Sequence, residues 1–413
     1  MLSCYRVLDL TNEKGFLCGK ALGDLGADVI KIEKPGGDPS RNIGPFYHDI
    51  PDPEKSLYWF AFNASKRGIT LDIETADGQE IFKELVKKAD VVIESFAPGY
   101  MDRIGLGYPV LSQINPEIIM TSISGFGQEG PYKDYNDRDI AVWAMSGFMY
   151  IMGDADHPPL APSYTHGHLV GAMNAAVGTA IALCHRQVTG RGQKVDGISH
   201  QGLCFAISIA TKVPWGMARM IPTRKDSNRA RAKDGETYFP FFWECKDGYV
   251  VLTLMFNPTY ESSNVAFVEW IRSSGIDPGV LGRIDWKKDN WSHYTVKEVD
   301  EAREIISNFF KSQTKIELND GALERRIQLN PLLTPKDQLE FRQLAERDYW
   351  VEIEHSELDT KITYPGAFVK ISDAECGIRC RAPLIGEHND EIYKNELGIS
   401  AEELVVMKQR RVI

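Results

Sequence analysis

Two histidines, His166 and His168, stand at the mouth of the stretch Ala161 to Gln187, APSYTHGHLVGAMNAAVGTAIALCHRQ. A histidine there could act as a base or polarise a carbonyl near neutral pH. At a helix start it more often caps or packs. Two carboxylates, Asp154 and Asp156, come just before, in GDADHPP. Acids set among Gly and Pro are turn formers first. Cys376 and Cys380 make a C-x3-C pair with no second ligand pair nearby, so no metal site is expected. Other polar features follow short apolar runs. Lys34 comes after ADVIKIE, Ser95 after DVVIE, and the loop 125–133, GFGQEGPYK, after IIMTSIS.

Those runs read as strands. RVLDL at Arg6–Leu10, a small-residue helix over Lys14–Leu25 and a strand over Ala27–Glu33 make a βαβ unit, which predicts parallel pairing. Further strands are expected at Gly68–Ile73, Asp90–Glu94, Ile118–Ser124 and Lys194–Ser199. Helices are expected over Thr75–Ala89, Pro109–Ile114 and His200–Ala210. The alternation implies an α/β, doubly wound sheet with its ligand site at the carboxyl ends of the strands, where Lys34, Ser95 and the 125–133 loop fall. The first turn, TNEKG, lacks G-x-G-x-x-G, which disfavours an ordinary dinucleotide fold. Ala161–Gln187 reads as a long, largely buried helix whose Gly171, Ala175, Gly178 and Ala182 give it one flat face.

Val213–Asp234 is basic and punctuated, and reads as a linker or mobile loop into a second, smaller α+β region. There Tyr238–Trp243 and Tyr249–Leu254 alternate like paired strands around Lys246-Asp-Gly248. Helical patterns follow at Asn264–Ser274, Val296–Ser312 and Lys336–Glu346, then at Asp390–Leu397 and Ala401–Gln409. The length, 413 residues, suits two domains or one elaborated domain. A net charge of −11 argues against nucleic acid as the partner. The start, MLSCYRVLDL, has no basic region followed by an apolar core, and no run of about 18 apolar residues is found, so neither a signal peptide nor a membrane span is expected. The seven cysteines are odd in number and scattered, which points to free buried thiols in a reducing cytoplasm.

Several segments together resemble the family III CoA-transferases. They are RVLDLT at 6–11, LGADVIKIEKPGGDPSR at 25–41, N-x-x-K-R at 63–67, ADVVIESFAPG at 89–99, DRIGLGY at 102–108, SISGFGQEGP at 122–131 and TGRGQKVD at 189–196. YFPFFWECKDGYVVL at 238–252 and RAPLIGEHNDEIYKNELGIS at 381–400 continue the likeness, which spans nearly the whole chain in order. The resemblance implies a Rossmann-like, CoA-binding large domain from 1–212 and 345–413, and a small domain with linkers from 213–344. It also implies two subunits threaded through each other as linked rings, an obligate dimer. CoA thioester would be substrate, with no permanently bound cofactor. The CoA residues it implies are Lys34, Leu71, Glu74, Ser95, Phe96, Ala97, Arg103, Tyr132 and Lys133. Glu74 departs from expectation, since a cation would suit CoA better.

In the family an Asp attacks the acyl-CoA carbonyl, giving an anhydride and then an aspartyl thioester. It lies four residues before the helix glycine, here Gly171, so its slot falls on Gly167. His166 and His168 are the weak substitutes nearby, and Asp139 matches a family Asp that reads as structural. The racemase branch needs a His where Arg138 stands, as well as the lost Asp. The expectation is a non-catalytic subunit of a cytoplasmic heteromer, whose homologous partner carries the Asp. CoA would pass from an acyl-CoA such as succinyl-CoA to an acid such as benzylsuccinate in anaerobic aromatic breakdown. The alternatives are an active homodimer with another catalytic group, or a non-enzymatic CoA-thioester binding protein.

Overall fold

A parallel strand covered on both faces needs apolar side chains on both, and the first strands supply them. The computed structural model describes residues 1–208, 215–216, 219–224 and 228–413. Its chain separates into two compact units, one of Met1–Met149, Ala161–Ile209 and Gln343–Ile413, the other of Tyr150–Leu160 and Ala210–Arg342.

The first unit is built on β1 (Arg6–Leu10), β2 (Asp28–Glu33), β3 (Lys66–Thr70), β4 (Val91–Glu94), β5 (Ile119–Ser124) and β6 (Lys194–Ile198). All pairings are parallel, in the order β3-β2-β1-β4-β5-β6. That is a doubly wound arrangement whose order reverses between β1 and β4. The connecting helices include α1 (Phe16–Asp24), α2 (Leu57–Asn63), α3 (Ala76–Val86), α4 (Tyr100–Arg103), α5 (Tyr108–Ile114), α6 (Asp139–Ser146), α7 (Phe148–Ile151), α8 (His166–Thr189) and α9 (Ser199–Ala206). Leu8, Ile30, Ile32, Val92 and Met120 face α3, α5 and the C-terminal segment. Val7, Val29, Val91, Ile93 and Ile119 face α1 and α8.

Asp9, Lys31 and Lys66 are fully buried beneath α1. Lys66 Nζ donates to Asp9 Oδ2 at 2.8 Å and to Asn63 Oδ1 at 2.9 Å. Burial would raise the Asp9 carboxyl, but the two lysines outweigh it and hold it low. The C-terminal segment closes the outer edge of the sheet. Gly68 N donates to His388 Nδ1 at 3.1 Å, Thr70 N to Asn389 Oδ1 at 2.9 Å, the Tyr393 hydroxyl to Thr70 O at 2.6 Å, and Asp72 N to Val412 O at 2.7 Å.

Helix α8 starts at His166, five residues later than its sequence pattern suggests, and its flat face works as expected. A Cβ on Gly171 would fall 2.1 Å from Ser199 Oγ, and one on Gly197 2.6 Å from Ala175 Cβ. The helix is only half buried, since Val177, Ile181 and Val188 are exposed. At 24 residues it is also long and apolar enough to cross a membrane, contrary to the sequence estimate, with half of its most apolar window packed inside the unit.

In the second unit, β7 (Arg229–Ala232) pairs with β8 (Gly235–Tyr238) as a hairpin. β9 (Phe242–Cys245), β10 (Gly248–Leu252) and β11 (Leu329–Pro331) form an antiparallel sheet. They pack with α10 (Glu261–Ser273), α11 (Val296–Lys311) and α12 (Lys315–Arg325) around Trp243, Phe267, Trp270, Phe309 and Phe310. The expected linker at Val213–Asp234 therefore carries a strand at its end, and part of it lies outside the described residues. The strand expected at Tyr238–Trp243 begins only at Phe242, because Tyr238 pairs backwards and Pro240 cannot donate to a ladder. The helix expected over Lys336–Glu346 is two short pieces, α13 (Pro335–Leu339) and α14 (Arg342–Ala345). Beyond them β12 (Trp350–His355) and β13 (Thr360–Pro365) pair in the first unit, and α15 (Ala401–Gln409) is the last described helix. No cysteine among the described residues is in a disulfide, and of the seven only Cys18 and Cys245 are buried, which corrects the expectation of buried thiols throughout.

Candidate active site

The order reversal of the sheet opens a cavity of about 360 Å³ at the carboxyl ends of β1, β2 and β4. Leu10, Asn12 and Glu13 line it from β1, Ile32 to Lys34 from β2, Leu71 and Ile73 from beyond β3, and Phe96 and Tyr100 from beyond β4. Its rim is folded by the loop after β2. Gly36 and Gly37 adopt φ of 97° and 93°, which only glycine takes easily. The loop then turns back so that Arg41 grips buried Glu33 through two bonds, at 2.7 and 2.8 Å. The Arg41 guanidinium lies 3.8 Å over the Trp59 ring. Ser95 Oγ donates to Asn12 Oδ1 at 2.8 Å and accepts from Asn12 N at 2.9 Å, tying the loops after β1 and β4 together.

Lys34, on the rim, donates to Glu74 Oε2 at 2.7 Å. The Tyr100 hydroxyl donates to the other Glu74 oxygen. These bonds, the lysine's first, hold the Glu74 carboxyl below its usual range. Burial and then Glu74 push the Tyr100 hydroxyl up. Arg103 sits 5.2 Å over the Tyr100 ring. The structure thus brings Lys34, Leu71 and Phe96 to the cavity wall, with Glu74, Ser95 and Arg103 bonded to or stacked on its lining. Ala97 is exposed on the loop beyond. Tyr132 and Lys133 lie on a separate exposed loop, where Tyr132 meets Tyr135 edge-on at 4.7 Å.

A second group of polar side chains gathers at the start of α8. His166 is exposed, while Gly167 and His168 are buried. Asp139, the first residue of α6, reaches across so that its Oδ1 accepts from His168 N at 2.9 Å. A Cβ on Gly167 would stand 2.9 Å from that same oxygen and 3.3 Å from Trp143 Nε1. Trp143 Nε1 and His168 Nδ1 are both buried without a hydrogen-bond partner. Burial lowers the His168 pKa, opposed by Asp139 and Asp137, so the ring is neutral at pH 7. Lys14 pairs with Asp137 at 2.5 Å, and Asp137 Oδ2 also accepts from Gly125 N at 3.1 Å. Asp154 accepts from Asn228 Nδ2 at 3.1 Å and Asp156 pairs with Arg229, both in the second unit.

The sequence model of CoA-transferase family III matches residues 2–389. The chain belongs to CoA-transferase family III. It is 33% identical over 407 residues to the BbsE subunit of succinyl-CoA:(R)-benzylsuccinate CoA-transferase from Thauera aromatica, covering 97% of this chain and 95% of that one. It is 29% identical to the beta subunit of succinyl-CoA–L-malate CoA-transferase from Chloroflexus aurantiacus, over 96% of this chain and 94% of that one. The crystal structure of a CAIB/BAIF family protein from Brucella suis superposes with a TM-score of 0.79 at 26% identity, covering 95% of this chain and 98% of that one.

Family III enzymes use CoA thioesters as substrates, and this chain's relatives include named subunits of larger transferases. The motifs that identify the family mark strand ends and tight loops, so the cavity was open to sequence reasoning. Tyr100, Asn12 and Asp38 escaped it, although each follows a strand end by only a few residues. The meeting of Asp139 with Gly167 had no local signal at all.

Proposed function

We propose that this chain is the subunit without a nucleophile in a cytoplasmic, heteromeric CoA-transferase. A homologous partner carries the Asp that attacks the acyl-CoA, and the two chains thread as linked rings. CoA moves from a donor such as succinyl-CoA to an acid such as benzylsuccinate, in anaerobic breakdown of toluene-like aromatics. No cofactor stays bound between turnovers. The carrying observation is Gly167. The slot that would hold the nucleophile has no side chain, and Asp139 and Trp143 stand within 3.3 Å of where one would begin. The likeness to a BbsE subunit and to a malate transferase beta subunit supports the heteromer and the acids named. The cavity at the strand ends, with Lys34, Leu71, Ser95 and Phe96 on or behind its wall, supports CoA binding in the large unit. Glu74, Ala97, Arg103, Tyr132 and Lys133 are assigned to the same ligand.

The test is expression with and without the partner. The chain alone should show no transfer between succinyl-CoA and benzylsuccinate, and co-expression with a homologue carrying the Asp should restore it. Full activity from the pure chain would overturn the reading. His168 favours a second reading, because its Nδ1 is buried and unpartnered beside Gly167. In that case the chain acts alone through histidine, and an acyl-imidazole should be trapped on it by mass spectrometry.

A further inference from the structure

Lys34, the one cation among the described residues lining the strand-end cleft, is already engaged by a carboxylate. Glu74 accepts from Lys34 through one oxygen and from the Tyr100 hydroxyl through the other. Arg103, on the same short helix as Tyr100, stacks over its ring. The Lys34 and Glu74 side chains are 56% and 47% exposed, so this pair is no packing device. An exposed pair of this kind contributes little to stability. The nearby wall brings no spare positive charge. Glu13, Glu33 and Asp38 line it, and the Arg41 beside them is committed to Glu33 and Glu54. A phosphate arriving at Lys34 must share its ammonium with Glu74 and sit beside that carboxylate, whose negative charge repels it.

The geometry points to Glu74 as a resident anion that holds Lys34 in the place of a ligand phosphate, making this chain's cleft a weak site for CoA. The inference rests on the reading of the cleft as a CoA site. It adds that this copy is self-occupied, so productive CoA binding falls to the partner's cleft. Like charges a few ångströms apart in a solvent-exposed setting cost about fivefold to tenfold in affinity.

The test is calorimetric titration of the full chain with CoA and with pantetheine, which has the same arm but no phosphate. Wild type, Glu74→Gln and the double variant Lys34→Gln/Glu74→Gln are compared. Both positions are exposed, and circular dichroism checks that the fold is kept. Glu74→Gln should bind CoA about fivefold to tenfold more tightly, with pantetheine unchanged. The gain should shrink at raised ionic strength and vanish in the double variant. Equal CoA affinity in wild type and Glu74→Gln would overturn the inference while leaving the cleft a CoA site. So would an equal gain for pantetheine, or a gain that survives loss of Lys34. If neither wild type nor Glu74→Gln binds CoA, the reading of the cleft itself fails and the inference falls with it.

Discussion

Placing a carboxylate at position 167 tests whether the start of α8 still has room for a nucleophile. In Gly167→Asp the new Cβ would lie 2.9 Å from Asp139 Oδ1, too close for Asp139 to stay where it is. Asp139 can move only by giving up its bond from His168 N, a charged hydrogen bond of about 1.5–3 kcal/mol. The new carboxylate would also sit near the old one. At about 4 Å that repulsion is about 1 kcal/mol in a water-like setting and about 4 kcal/mol at an effective dielectric of 20. Three gains oppose these losses. Replacing glycine by aspartate in a helix returns about 0.3 kcal/mol. An acid in the first turn gains about 0.3–1 kcal/mol. Trp143 Nε1, now without a partner, would find an acceptor worth about 1.5–3 kcal/mol. Mid-range values leave a destabilisation of about 1.5 kcal/mol. Urea unfolding of the full chain measures it, with Gly167→Ala as the steric control. Asp139→Asn should recover at least about 1 kcal/mol in the Gly167→Asp background beyond its effect alone. A Gly167→Asp chain as stable as wild type, with coupling to position 139 under about 0.5 kcal/mol, would refute the reasoning.

Burial raises the Glu94 carboxyl from the ordinary 4.5 to about 7. The folded state therefore holds a proton that the unfolded state releases between those values, and stability should fall as pH rises through that window, by about 3 kcal/mol once both states are ionised. Glu94→Gln should match wild type near pH 5 and exceed it by about 2–3 kcal/mol at pH 8 in urea unfolding, whereas a pH-independent difference would sink the idea. Arg41→Ala leaves Glu33 buried and unpaired and should cost about 3–5 kcal/mol, seen as a large fall in the thermal midpoint. A loss under about 1 kcal/mol would mean that water reaches Glu33.

What could be read from the sequence was local. β1 needed only its apolar run, and α15 only the helical pattern of Ala401–Gln409, which the structure caps with Ser400. β3 was misplaced because Lys66 and Arg67 look like surface residues. Lys66 is instead buried on Asp9, which draws the strand two residues earlier. The cleft was legible through Lys34, Ser95 and Phe96, since strand ends carry ligands in a doubly wound sheet. Its electrostatics were not. Lys34 and Glu74 lie 40 residues apart, and no periodicity links them. His168 and Asp139 are 29 residues apart, so the glycine at 167 was visible in the sequence but the carboxylate beside it was not.

The edge of β3 has a consequence for how the chain is made. A ribosome delivers β1 through β6 early, yet the groups that cover β3 at Gly68, Thr70 and Asp72 come from His388, Asn389, Tyr393 and Val412. Throughout synthesis of the second unit the sheet keeps an open, hydrogen-bond-hungry border, the kind on which nascent chains stick to one another. The segment from His388 to Val412, made only after the second unit, is therefore what finishes the first unit. A stop just before His388 would leave all six strands of the sheet in place and still send the chain towards aggregation.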